Sequence, residues 1–210
     1  MANPDWPGKP RARGACTDSP PERIYMKTIE ILGSRNPAGQ TAKALAALRR
    51  GIETAVGEVE TVFLPALRIE RCRQCDDNGW GLCRKEGRCV IEDDFAWLVD
   101  KVRGSDLAVF ATPVYYADLS ESLRAFLDRL RRTCTHKDGK VGIENKPTVG
   151  ICVAGGGGGG SSACCVSLEK IMTTCGFVVV DMIPIRRQNL ETKLAVLEQT
   201  GKSVAKTATA

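Results

Sequence analysis

Histidine is all but absent from this 210-residue chain: there is one, His136, in a polar, basic stretch that suits a solvated surface position. Acid–base catalysis is left without an obvious residue. The carboxylate pair Asp93 and Asp94 has no visible catalytic partner, and by preceding an apolar helical pattern it reads as the cap of a helix N-terminus. No apolar run approaches the roughly 20 residues that span a bilayer, and the polar, proline-rich start lacks the apolar core of a signal peptide. A cytoplasmic protein without a membrane partner is the expectation. Long Lys/Arg runs and interleaved aromatics are missing too, so the net charge of +5 argues for no nucleic acid and at most for mild attraction to anionic cofactors or acidic redox partners. No internal repeat is visible.

What the chain does have is cysteine. Ten in a mid-sized chain with 43% apolar content and no export signal favour reduced thiols and metal ligation over a disulfide framework. Four of them, Cys72, Cys75, Cys83 and Cys89, crowd into one short segment. The other six, Cys16, Cys134, Cys152, Cys164, Cys165 and Cys175, are scattered and read as small buried or incidental thiols.

The apolar content suits one α/β domain with one sizeable core. Residues 1–25 are proline-rich and aperiodic and read as a mobile extension, with Met26 as an alternative start; the domain is expected over 26–202 and a tail over 203–210. Five apolar strands are predicted at Thr28–Leu32, Val59–Leu64, Leu107–Thr112, Thr148–Ala154 and Phe177–Ile183. Segments of helical spacing follow each, such as Leu123, Phe126, Leu127 and Leu130. Strict alternation predicts a doubly wound five-stranded parallel sheet in a three-layer α/β/α sandwich, with ligands beyond the carboxyl ends of the strands.

The loop after the first strand, Gly33-Ser34-Arg35-Asn36-Pro37-Ala38-Gly39-Gln40-Thr41, places Ser34, Asn36, Gln40 and Thr41 where a helix opens, and free N–H groups there favour a phosphate. It lacks the lysine of a triphosphate loop and the spacing of a dinucleotide fingerprint, so a phosphate monoester is indicated. After the third strand, Pro113-Val114-Tyr115-Tyr116 offers paired aromatics to flank a flat ring. After the fourth, six glycines, Gly155 to Gly160, permit a backbone to approach a cofactor closely. Together these loops point to a flavin, and the cysteines to a metal beside it. Arg129, Arg131, Arg132, Lys137 and Lys140 read as a solvated helix end, with docking of a nicotinamide phosphate or an acidic ferredoxin as the alternative.

The motifs GSRNPAGQT, C-x2-C-x7-C-x5-C with VIEDDF, ATPVYYADLSESLRAFLDRL, the glycine run and GFVVVDMIPI resemble, in that order over about residues 27–200, the NAD(P)H-dependent FMN reductase-like family of flavodoxin fold. Within it they are most similar to the iron-sulfur flavoproteins. The resemblance implies FMN, its phosphate on Ser34, Asn36, Gln40 and Thr41 and its ring on Pro113, Val114, Tyr115 and Tyr116, with Gly155 and Gly156 behind. It also implies a [4Fe-4S] cluster on Cys72, Cys75, Cys83 and Cys89. A homodimer or homotetramer is implied, passing electrons between a ferredoxin-like or NAD(P)H donor and a small-molecule acceptor. The branch places two residues between its second and third cysteines, whereas seven separate Cys75 from Cys83. Zinc, or no metal, in a plain FMN or quinone reductase is the alternative, and a non-enzymatic electron-carrier subunit of a larger complex is another.

Overall fold

The computed structural model describes residues 26–54 and 57–208, so the expected N-terminal extension and Cys16 lie outside the described residues. Its centre is a sheet of β1 (Met26–Leu32), β2 (Gly57–Phe63), β3 (Leu107–Pro113), β4 (Pro147–Ala154) and β5 (Val178–Arg186). All neighbours pair in parallel, in the order β2-β1-β3-β4-β5. Strand direction through the sequence reverses between β1 and β3, which puts the ligand crevice at their carboxyl ends.

The helices are α1 (Gln40–Glu53), α2 (Leu82–Lys85), α3 (Phe95–Arg103), α4 (Glu121–Thr133), α5 (Lys137–Lys140), α6 (Ser161–Cys175) and α7 (Leu190–Ala208). The five long ones match the sequence pattern; α2 and α5 are single turns too short to show a period. α7 runs on to Ala208 with Val204 and Ala205 buried, and so takes in 203–208 of the segment read as a tail.

Alternation along the strands sorts the core into two layers. Ile29, Ile31, Ala108 and Phe110 face α3, α4 and α6, where Cys134, Cys152, Cys164, Cys165 and Cys175 are buried as small apolar groups. Leu32, Leu107, Val109 and Ala111 face α1 and α7. Those two helices meet through glycines: a Cβ on Gly201 would stand 2.2 Å from the Leu48 carbonyl oxygen, and one on Gly51 2.1 Å from that of Glu198. Among the described residues no helix is long and apolar enough to cross a membrane.

Candidate cofactor cleft and cysteine cavity

Three loops at the carboxyl edge of the sheet enclose a cleft of about 410 Å³, within the range of small-molecule and cofactor sites. Ser34, Asn36, Gln40 and Thr41 line it from the first loop, Pro113, Val114 and Tyr115 from the second, and Gly155 and Gly156 from the third. The first loop is a tight turn: Asn36 Oδ1 accepts from Ala38 N–H at 3.0 Å, and Ser34 Oγ bonds both the amide and the carbonyl of Asn36 at 3.2 Å. α1 then opens at Gly39 with no side-chain cap and no acidic residue in its first turn. Its leading N–H groups are left for an anion, as a phosphate monoester requires.

The glycine run leaves room for a ring. A Cβ built on Gly155, Gly156, Gly157 or Gly159 meets nothing within 4 Å, so the cleft's volume exists because side chains are missing there. Gly160 has another reason: its φ is +81°, and a Cβ would come within 2.7 Å of Ala117 Cα, where the third loop packs on the second.

Tyr116 departs from the expectation. Tyr115 and Asp118 exchange backbone hydrogen bonds of 2.9 Å around a two-residue turn, with Tyr116 and Ala117 at φ +49° and +62°. That left-handed turn swings the Tyr116 side chain fully into solvent, away from the cleft. It borders an adjoining, more open cavity with Arg35, Tyr115 and Glu121.

The cysteine segment leaves β2 and returns to α3 as a closed loop. At its stem, Arg68 N–H donates to Asp94 Oδ2 at 2.7 Å, and Asp94 N–H to the Arg68 carbonyl at 3.0 Å. Asp93 supplies the bond expected of a cap, accepting from Phe95 N–H at 3.2 Å, while Asp94 is spent on the stem. Cys72, Cys75, Cys83 and Cys89 line one small cavity of about 20 Å³, with Arg129 and Arg132 of α4 in the same wall. Among the described residues no three His, Cys, Asp or Glu side chains converge to hold a metal ion.

The reading of Arg129 as a solvated helix end is overturned: it is 2% exposed, the largest fully buried side chain among the described residues. Its guanidinium pairs bidentately with buried Asp93 at 2.6 and 2.9 Å, donates to the carbonyls of Glu70 and Ile91 at 3.1 and 3.4 Å, and lies 4.2 Å from the centre of the Phe95 ring. It thereby staples both flanks of the cysteine segment. Burial opposes its charge, but Asp93 and the neighbouring Cys89 outweigh that and hold its pKa above the usual arginine value. Burial likewise raises the Asp93 carboxyl, yet Arg129 and the N–H groups of Glu70 and Phe95 bring it below the usual carboxylate range. Arg132 pins the middle of the segment, donating to the Gly79 carbonyl while its guanidinium sits 4.0 Å over Trp80, with Arg84 at 5.5 Å from the same ring. A signal was present in the sequence: Arg129 is three residues beyond Phe126, beside the apolar stripe of α4, whereas Arg131 points outward to Asp128. His136 bonds its imidazole Nδ1 to the Asp138 N–H and caps α5, a structural role.

The two cavities communicate through α4. Its Ser120 N–H donates to Thr112 Oγ1 at 3.0 Å and Ser122 Oγ to the Gly33 carbonyl at 3.3 Å, so its start is tied to the cofactor loops and its end to the cysteine segment. Between them, Gly33, Arg35 and Tyr115 share a pocket with Leu67 and Ile69 of the segment's stem.

A family model described as NADPH-dependent FMN reductase matches residues 26–188. The chain belongs to this family. The family is one of flavin-dependent oxidoreductases, and the cleft is lined by the hydroxyl, amide and glycine residues of the three loops. Among its relatives, an iron-sulfur flavoprotein of Archaeoglobus fulgidus is 35% identical over 50% of this chain and 46% of its own length. One of Methanosarcina thermophila is 29% identical over 74% of this chain and 77% of its own. The chain thus spans about half the length of the first and about three quarters of the second. The NAD(P)H:quinone oxidoreductase of Methanothermobacter marburgensis shares the fold at a TM-score of 0.63 and 18% identity, covering 86% of this chain and 96% of that one. An archaeal flavodoxin does so at 0.58 and 13%, covering 88% and 100%.

Proposed function

We propose that this FMN reductase family member is an oxidoreductase of iron-sulfur flavoprotein type, holding FMN in the cleft and a [4Fe-4S] cluster on Cys72, Cys75, Cys83 and Cys89. Electrons enter from NAD(P)H or a ferredoxin-like donor and leave to a small acceptor. The observation that carries the reading is that four thiols spread over an irregular segment line one cavity, which α4 links to the cofactor loops. Four thiolates are the number that a [4Fe-4S] cluster takes, one to each iron, and the number that tetrahedral zinc takes. The names of the two archaeal relatives point to the cluster.

When bound, FMN accepts a hydride or single electrons and a cluster passes one electron at a time, so the pair couples two-electron to one-electron traffic. The chain supplies position. Ser34, Thr41 and the leading N–H groups of α1 hold the phosphate; Pro113, Val114 and Tyr115 border the ring, and the glycine loop lets backbone lie close to it. No side chain need move a proton for electron transfer, in keeping with the structural role of His136.

The test is the content of iron, acid-labile sulfide, zinc and FMN per chain in anaerobically purified protein and in a Cys83→Ser variant. About four irons and four sulfides with one FMN are expected, the irons being lost in the variant. FMN without iron would reduce the reading to a cluster-free FMN or quinone reductase.

A further inference from the structure

The wall of the cysteine cavity carries two features that neither the fold nor FMN requires. Arg129 and Arg132 each present a buried Nε–H that has no hydrogen-bond partner among the described residues. Every other contact of Arg129 is satisfied: both terminal nitrogens are shared between Asp93, Glu70 and Ile91. A buried guanidinium whose fork is so fully engaged, yet whose remaining donor is orphaned, bears a desolvation cost that an acceptor in the cavity would relieve. The only polar side chains besides arginine in that wall are the four thiols. Of the three arginines in the wall, Arg73 is balanced by Glu70 and Arg129 by the Asp93 carboxylate, whereas Arg132 meets the Gly79 carbonyl and the Trp80 ring, so the arginine side of the wall is net cationic.

We infer that Arg129 and Arg132 are the hydrogen-bond donors to the sulfur face of the centre held by the four cysteines, and that they set its reduction potential. The inference rests on the cluster reading. A cluster ligated by four thiolates is anionic and gains a further negative charge on reduction; donors and positive charge beside its sulfurs stabilise the reduced state more than the oxidised one. Both arginines therefore raise the potential. They are positioning and tuning residues, not ligands. The seven residues between Cys75 and Cys83 have a purpose in this arrangement: they carry Trp80, which stacks on Arg132 and fixes that guanidinium at the cavity.

The experiment is a spectroscopically monitored redox titration of the intact, anaerobically purified chain, wild type against Arg132→Gln, with iron, sulfide and FMN counted on the same samples. At full iron content the variant is expected to need a potential lower by at least 59 mV for half-reduction, a tenfold change in the one-electron equilibrium. An unchanged midpoint at full iron content overturns the inference and leaves Arg132 as a latch for Trp80. Should Arg132→Gln not retain iron, Arg129→Lys is read by the same titration, since it keeps a cation beside Asp93 while removing the Nε donor. A lowered midpoint supports the assignment, an unchanged one overturns it, and loss of iron from both variants overturns it in favour of a role in assembly. Wild-type protein carrying FMN but no iron or sulfide fails differently: it removes the cluster reading, and the inference with it.

Discussion

Asp93 and Arg129 form the most consequential pair of residues outside the cofactor loops. Both are buried, and breaking such a pair strands a charge, at a cost of about 3–5 kcal/mol. Asp93→Asn is expected to lower the denaturant midpoint sharply at pH 7. Because the folded carboxyl titrates below its unfolded value of about 3.9, the pair's contribution is present above that value and is lost as pH falls through the folded pKa. Wild type and variant should therefore converge as pH falls below the unfolded value; a gap that stays constant with pH would remove the ion pair as its cause. At the phosphate end, replacing Ser34 and Thr41 by Ala should weaken FMN binding about tenfold for each lost bond to a charged group. Flavin fluorescence titration would read it, and unchanged affinity would move the phosphate elsewhere. These loop residues were legible because hydroxyls, amides and glycines at a strand-to-helix turn have few other uses. Arg129 was legible only in part: its place beside the apolar stripe of α4 turns it inward, but only the meeting of α4 with the stem of a distant loop gives it a buried carboxylate partner. Tyr116 misled for a related reason, since nothing in the pair Tyr115-Tyr116 reveals that the second takes a positive φ and turns outward.

The elements themselves were readable at the level of kind and order. Short apolar runs buried on both faces mark parallel strands, and β3, with six buried residues of seven, could hardly be anything else. β2 and β5, at the sheet edges, carry exposed positions and show weaker signals, yet both fall where the alternation requires. What periodicity does not encode is how closely two helices approach. α1 and α7 touch backbone to backbone at Gly51 and Gly201, where any Cβ collides with a carbonyl. Gly201→Val should cost at least about 2 kcal/mol by forcing them apart, a drop of roughly 4–8 °C in Tm for a domain of this size. Calorimetry would check this, and a variant melting within a degree of wild type would show that the helices separate freely.

On the scale of the molecule, the chain holds its cysteine segment by means independent of any metal: the two hydrogen bonds between Arg68 and Asp94, the Arg129 staple and the Trp80 stack. On the cluster reading, chelation of iron should accordingly leave the Tm within a few degrees and the FMN in place, unlike small metal-dependent domains that unfold when stripped. Circular dichroism before and after chelation would reveal it; a collapse of the melting transition would mean the metal holds the segment together. The same construction makes α4 a ruler laid between two sites. From Ser120, bonded to the cofactor loops, to Arg132 at the cysteine cavity the helix covers about 18 Å, a length counted in residues and not in loop conformations. Deleting one residue from its middle would shorten that span by about 1.5 Å and rotate both arginines by about 100°, so the spacing of the two sites can be changed only in steps, each of which also turns the guanidinium groups away from the cysteine cavity.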